Sequence, residues 1–393
     1  MSRGPLDGLR VIDASRILAG PMCAQILGDL GAEVVKIEKP GVGDDTRQWG
    51  PPFVGPLSAY FLSCNRNKKS VTLDLAHADG KKVFDAIVEK SDVLIENYRA
   101  DSALKLGLDP ASLLAKNPRL VLCSISGFGR TGPLADLPGY DLGIQAMSGL
   151  MDITGPKEGP PAKVGVAIAD VVTGLYAAIA ILACLRERDT TGKGYAIDLA
   201  LLDCALASQV NVAQAYLSSG DVPPRQGNAH LQIVPYQPFE TADDWLILMI
   251  GNDGQWRHFC EAAERPDLAA DPRFVTNPLR IRHREALIPL VAETMRGRGR
   301  AEWETRLESA GVPFAPVWNY AQLFAQPQVA ERGMKVTVRD AEGRPVDLIG
   351  SPLKLGDMVS SPPTLGRDTD AVLRSLAGLS DPELDRLRER GVI

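Results

Sequence analysis

The sequence predicts an α/β protein with a large Rossmann-like domain on a mainly parallel sheet and a smaller α/β domain. Three observations predict it. Short β-branched runs alternate with helical patterns from residue 10 to residue 199. That alternation ends at a Gly/Pro/Ser cluster, SSGDVPPRQGN over 218–228, of the kind that marks a boundary. The length of 393 residues, with 45% hydrophobic residues and 23% charged ones, suits a globular chain of two or three domains.

The elements follow in order. Arg10 to Ala14, a helix from Pro21 to Leu30 and Val34 to Glu38 form a βαβ unit. Val71 to Leu75, a helix over Ala78 to Lys90, Asp92 to Asn97, Leu120 to Ser126, and Tyr195 to Leu199 continue the pattern. Strands spaced by helices in this way pair in parallel and need helices on both faces, through right-handed crossovers. Between the last two strands lies VVTGLYAAIAILAC, Val171 to Cys184, an uncharged run bounded by Asp170 and by Arg186, Glu187 and Arg188. It is shorter than the ~20 residues a membrane span needs and reads as a core helix. The large domain is expected over 1–220, completed by 331–393. The smaller one is expected over 226–330, with a strand at Trp245 to Ile250, helices near Gln255 to Glu264, His283 to Arg296 and Ala301 to Ser309, and an extended piece from Val312 to Trp318. A strand at Met334 to Arg339 and a charged helix at Asp381 to Glu389 close the chain.

Composition excludes several classes. With 43 Lys plus Arg against 49 Asp plus Glu, the net charge of -6 argues against a nucleic-acid partner, which calls for a basic excess. The six cysteines are scattered without a C-x-x-C pair, so no zinc site is indicated and buried free thiols are expected. The N-terminal segment lacks the apolar core of a secretory signal, which makes a cytoplasmic location the expectation. G-x-S-x-G, H-E-x-x-H and Walker A motifs are missing, and nothing pairs His77, His230, His258 or His283 with a nucleophile.

Gly127, Gly129 and Gly132 spell a dinucleotide-binding fingerprint after a strand, but Pro133 and Pro138 leave no room for the helix that would meet a pyrophosphate. The turn Ser15 to Pro21 opens a helix whose N–H groups suit an anion. Lys36, Lys39, Arg47, Arg66, Lys68 and Lys69 cluster around glycines near strand ends, a pattern that fits a phosphate-bearing ligand and a solvated surface equally well. Asp170 carries a carboxylate into an apolar region directly before the long helix. There it serves as an N-cap, as a fixed ionised nucleophile, or as both. The loop Ile250 to Trp256 holds Gly251 and Gly254, whose freedom turns N–H groups toward a ligand or simply makes a tight connection.

The ordered segments LAGPMCAQILGDLGAEVVKIEKPGVGDDTR, CNRNKKSVTLDL, ENYRADSALKLGL, SISGFGRTGP, PGYDLGIQAMSGLMDITG and VGVAIADVVTGLYAAIAILACLRER resemble the class III CoA-transferase family over essentially the whole chain. NAHLQIVPYQPF, GDDTRQWGPPFVG and AGVPFAPVWN are similar to its succinate-hydroxymethylglutarate group. The resemblance implies that Asp170 attacks an acyl-CoA to give a mixed anhydride and then an aspartyl-CoA thioester. CoA thioesters enter as substrates, succinyl-CoA as donor and a carboxylic or dicarboxylic acid as acceptor, with no metal and no permanently bound cofactor. Tyr140 and Asp141 match the family's active-site pair, and Gly251 and Gly254 its glycine loop, here interrupted by Asn252 and Asp253. Leu18, Ala19, Lys36, Arg47, Arg66, Lys68, Lys69, Asn97 and Tyr98 are the implied CoA contacts. The resemblance also implies an interlocked homodimer, without nucleic-acid or membrane partners. Leu18 stands where formyl-CoA transferase carries a glutamine, which favours an acid larger than formate or oxalate.

Two alternatives are weighed. The related α-methylacyl-CoA racemases use a histidine base in a Gly-His-Asp segment. Here it is Gly139-Tyr140-Asp141, and a tyrosine of ordinary pKa about 10 is a poor base near neutrality. The other alternative is a non-catalytic CoA-binding protein. For the distal carboxylate of a dicarboxylate, Arg16, Arg225 and His230 are the candidate cations.

Overall fold

The computed structural model describes residues 4–356 and 359–393. The chain divides into two compact units. The first holds the chain up to Leu150, Val164–Gly220 and Pro327–Ile393; the second holds Met151–Lys163 and Asp221–Gln326.

In the first unit, six strands form one sheet: β1 (Arg10–Asp13), β2 (Glu33–Glu38), β3 (Lys68–Thr72), β4 (Val93–Glu96), β5 (Val121–Ser126) and β6 (Tyr195–Ala200). Every pairing is parallel, in the order β3-β2-β1-β4-β5-β6. This is the doubly wound order, in which the direction of winding reverses between β1 and β4, and ligands of such sheets sit beyond the carboxyl ends of those two strands. Five helices matter here: α1 (Ala19–Asp29), α2 (Ala59–Cys64), α3 (Ala78–Glu89), α4 (Asp141–Met147) and α5 (Ile168–Thr191).

Because side chains alternate along a strand, each strand feeds two cores. Ile12, Val35, Val71, Leu94 and Leu122 pack on one face with Phe84 and Ile87 of α3. Val11, Val34, Val93, Val121 and Cys123 pack on the other with Cys23 and Leu27 of α1 and Ala177 and Ile181 of α5. The C-terminal tail joins the first core through Leu373, Leu376, Leu384 and Leu387. It also covers the edge of β3, where Asp368 and Thr369 accept the N–H groups of Ser70 and Thr72.

Three expectations are corrected. The strand expected at Val71 to Leu75 begins at Lys68, because a buried carboxylate lets a lysine enter the sheet. The long helix starts at Ile168 and runs through the charged 186–189 segment to Thr191, where Gly192 caps it. Residues 151–163, expected in the large domain, belong to the second unit, where the Arg225 guanidinium donates to the carbonyls of Asp152 and Gly159. Helix α4 was not foreseen at all.

The second unit carries a three-stranded antiparallel sheet with Trp245–Met249 between Tyr236–Glu240 and Phe314–Pro316. Helices Asp253–Ala262, Arg284–Arg296 and Arg300–Ser309 cover it over a core that includes Trp256, Phe259, Phe274 and Trp303.

Candidate active site

A cavity of about 360 Å³ opens in the first unit at the point where the sheet order reverses; its walls include Ile17 and Ala19 after β1, Asn97 and Tyr98 after β4, Ser126 and Gly127 after β5, Tyr140, Asp141 and Asp170. A second cavity of about 450 Å³ shares Arg16, Asp45 and Tyr98 with the first and extends along Lys36, Lys39 and Asp74. Asn97 ties the two loops at the switch point together: its Oδ1 accepts the Arg16 N–H at 2.9 Å and its Nδ2 donates to the Arg16 carbonyl at 2.8 Å.

Two backbone approaches bring the acidic residues there. A Cβ on Gly139 would lie 2.2 Å from the Gly127 Cα, so only this glycine pair lets the 139–141 segment rest on the end of β5. A Cβ on Gly174 would meet the Ala19 carbonyl oxygen at 2.8 Å, so the start of α1 and the second turn of α5 touch nearly backbone to backbone. The fingerprint glycine Gly127 therefore serves chain packing rather than a phosphate.

Asp170 lies in the first turn of α5, three residues beyond the Ala167 N-cap, which corrects the expectation of an N-cap role. Capping falls to Asp141, whose Oδ1 accepts the Ala169 N–H at 2.9 Å. Burial, together with the neighbouring Asp141 carboxylate, pushes the Asp170 carboxyl up to about 7. At neutral pH Asp170 is thus divided between its acid and its ionised form, and as a carboxylate it is more basic than an ordinary aspartate. Tyr140 is 72% exposed at the cavity mouth. Tyr60 on α2, missed in the sequence, feels the same pair: burial and the charges of Asp170 and Asp141 raise its hydroxyl to about 12.

Most of the basic cluster is tied into ion pairs. Lys68 is fully buried and donates to Asp13, to the Pro21 carbonyl and to Asn65 at 2.8–2.9 Å, using all three of its protons. Lys36 is also fully buried, between Asp13 and Asp44, and donates to the Ser15 carbonyl at 2.9 Å. Burial would raise the Asp13 carboxyl, but the two ammonium groups hold it at about 2. Arg47 is buried on Glu38, and Arg66 on Asp29. Lys69 pairs with Glu33 on the surface. Of these five, only Lys36 lines either of the two cavities; Arg47, Arg66 and Lys68 are engaged in buried ion pairs, and Lys69 in a surface one.

The same network shapes the site. Asp44, held by Lys36, accepts the N–H of Ile17 at 3.3 Å, and Ile17 adopts φ +73°, a conformation that a β-branched residue keeps only when its surroundings impose it. Ala19 lines the first cavity, while Leu18 is half-buried outside both sets of walls. The exposed cations at the cavities are Arg16, which also stacks 5.3 Å from the Tyr98 ring, Lys39 and Arg99.

Gly251 and Gly254 lie in the second unit and have ordinary negative-φ backbone. The Gly251 N–H is taken by Gln255 Oε1 at 2.8 Å, Asn252 caps the following helix, and Asp253 holds the buried Arg280 at 2.9 Å. Asn252 and Asp253, which interrupt the glycine run, thus anchor the loop. Arg225 is occupied by carbonyls and His230 packs on Tyr236 within the second unit, while Arg16 lines the Asp170 cavity of the first. Among the described residues no cluster of three or more His, Cys, Asp or Glu side chains is arranged to hold a metal ion, and all six cysteines are free.

Known proteins resemble this chain over most of its length. A family model, CoA-transferase family III, matches residues 6–369. The chain is 38% identical over 393 residues to a human succinyl-CoA:glutarate CoA-transferase, covering 99% of this chain and 90% of that one. It is 43% identical over 356 residues to a succinate-glutarate CoA-transferase of Agrobacterium fabrum, covering 89% of each. A crystal structure of a CAIB/BAIF family protein from Brucella suis superposes with a TM-score of 0.86 at 44% identity, over 95% of this chain and all of that one.

Proposed function

The chain belongs to CoA-transferase family III and is an enzyme of that class, and from that premise we propose that it moves CoA from succinyl-CoA to a dicarboxylic acid through covalent intermediates on Asp170. The observation that carries the reading is a carboxylate raised by burial and by a second carboxylate, at the switch-point cavity of a doubly wound sheet.

The chemistry closes without water, metal or redox partner. The Asp170 oxygen attacks the thioester carbonyl; the C–S bond breaks and the CoA thiolate leaves a mixed anhydride. The thiolate then attacks the Asp170 carbonyl carbon, the anhydride C–O bond breaks, and succinate departs from an aspartyl-CoA thioester. The acceptor carboxylate reverses the two steps and restores Asp170. Each bond made replaces one broken, which is how covalent catalysis divides one difficult exchange. CoA has to stay bound between the steps. The paired cavities support this: the reacting thioester fits the Asp170 cavity, and the rest of CoA extends past Tyr98 toward Lys39, with Arg16 at the junction.

We assign a second copy of the chain, as an interlocked homodimer, to the apolar side chains that the first unit leaves exposed on and after α5: Leu175, Ile179, Leu206, Val210 and Leu217.

The test is to incubate the enzyme with succinyl-CoA and a panel of acids (glutarate, itaconate, malate and hydroxymethylglutarate) and to identify the CoA thioesters by mass. A new dicarboxylyl-CoA is expected with the parent enzyme and none with Asp170→Asn. Hydroxylamine is expected to intercept an adduct that maps to Asp170. Exchange of the substrate α-proton with solvent deuterium, without transfer, would replace this reading with a racemase.

A further inference from the structure

We propose that Gln145 is a positioning residue of the transfer reaction: its buried amide locks the Asp141 carboxylate in the pose that caps α5 and faces Asp170. Gln145 is fully buried one turn beyond Asp141 on α4. Its Nε2 donates to Asp141 Oδ2 at 2.7 Å and approaches the Val166 carbonyl at 3.4 Å, and its Oε1 accepts the Val164 N–H at 2.9 Å. One amide therefore grips both Asp141 and the loop that enters α5. Asp141 is left with each oxygen assigned, Oδ2 to Gln145 and Oδ1 to the Ala169 N–H at 2.9 Å.

The chemistry of the amide matters. Two facing carboxylates repel, so an unrestrained Asp141 would turn toward water and lose both the cap and its influence on Asp170. A lysine or arginine in place of Gln145 would hold Asp141 but cancel its charge. A neutral donor holds the carboxylate and leaves the charge in place. The other ionisable groups around the pair are Tyr60 from α2, Tyr140 beside Asp141 and, across the cavity, Arg16, Asp45, Tyr98, Arg99 and Arg130. Arg130 is paired with Glu96 at 2.6 Å.

This inference rests on the CoA-transfer reading, and the experiment separates the two. Absence of transfer by the parent enzyme to any acid overturns that reading. Given an active parent, the pH profiles of kcat and kcat/KM are measured for Gln145→Met and Gln145→Glu, and for Gln145→Glu combined with Asp141→Asn. Gln145→Met fills the same space without hydrogen bonds and is expected to lower kcat about 10- to 100-fold with KM for succinyl-CoA little changed, as a small misplacement of a reacting group does. Its acid limb should move to lower pH as Asp141 swings away. Gln145→Glu should lose as much. The double variant reverses the donor and acceptor while keeping the Ala169 and Val164 bonds, and should recover part of the lost kcat above neutrality with the acid limb still low. A Gln145→Met enzyme with parental kcat and an unmoved limb overturns the inference, and so does a double variant no better than Gln145→Glu.

Discussion

Two charged regions of the first unit invite comparison. Behind the ends of β1, β2 and β3, the buried cations Lys36, Lys68 and Arg47 meet the carboxylates of Asp13, Asp44 and Glu38. At the start of α5, Asp170 meets Asp141, and the influences on its proton are burial and that second carboxylate. In the first region like is balanced by unlike, and burial strengthens the attraction. In the second, burial strengthens a repulsion held in place by the cap of α5 and by Gln145. Matched charge builds a scaffold; mismatched charge leaves a reactive group raised in energy. The contrast separates a region whose buried cations are paired from a corner whose carboxylates are not.

The contrast can be broken at four points, the largest first. Asp170→Asn is expected to lower transfer by about 10⁴-fold or more, the scale for loss of a covalent nucleophile; near-parental turnover in the thioester assay would end the assignment. Lys68→Met removes one cation from a fully buried pair and should cost about 3–5 kcal/mol in urea unfolding, with KM for succinyl-CoA nearly unchanged while the protein stays folded. A raised KM at parental stability would return Lys68 to ligand binding.

The third point is pH. On the proposed mechanism the attacking form is ionised Asp170, so kcat should rise with pH through about 7. Asp141→Asn removes the repelling charge and should move that limb to lower pH by up to about one unit. A limb that stays put would mean that Asp141 acts through the cap alone.

The smallest effect is on stability. Asp170 binds its proton more tightly in the folded protein, at about 7, than at its ordinary 3.8. Its contribution is therefore most favourable at acid pH and falls away as pH rises from about 4 to 7. Asp170→Asn should stabilise the fold at pH 8 by about 1–2 kcal/mol and hardly at all at pH 4, read as a Tm difference between the two conditions. Asp13 has the opposite sign: held at about 2, it adds stability above pH 3.8 that is lost as pH falls toward 2.

The sequence by itself determined the α/β class, the β1-α1-β2 opening and the terminal helix, because each is written in local periodicity. It also displayed six cations near strand ends, but not their partners. Arg66 meets Asp29 at a distance of 37 residues and Lys68 meets Asp13 at 55, and no local pattern records such meetings. The contact of Gly127 with Gly139, the crossing of α1 and α5 at Gly174 and the grip of Gln145 on both Asp141 and the 164–166 loop were decided by the tertiary structure alone. The physical reason is that a charge or an amide acquires its role from what lies within a few ångströms of it. Strand order sets those neighbours, and composition leaves them open.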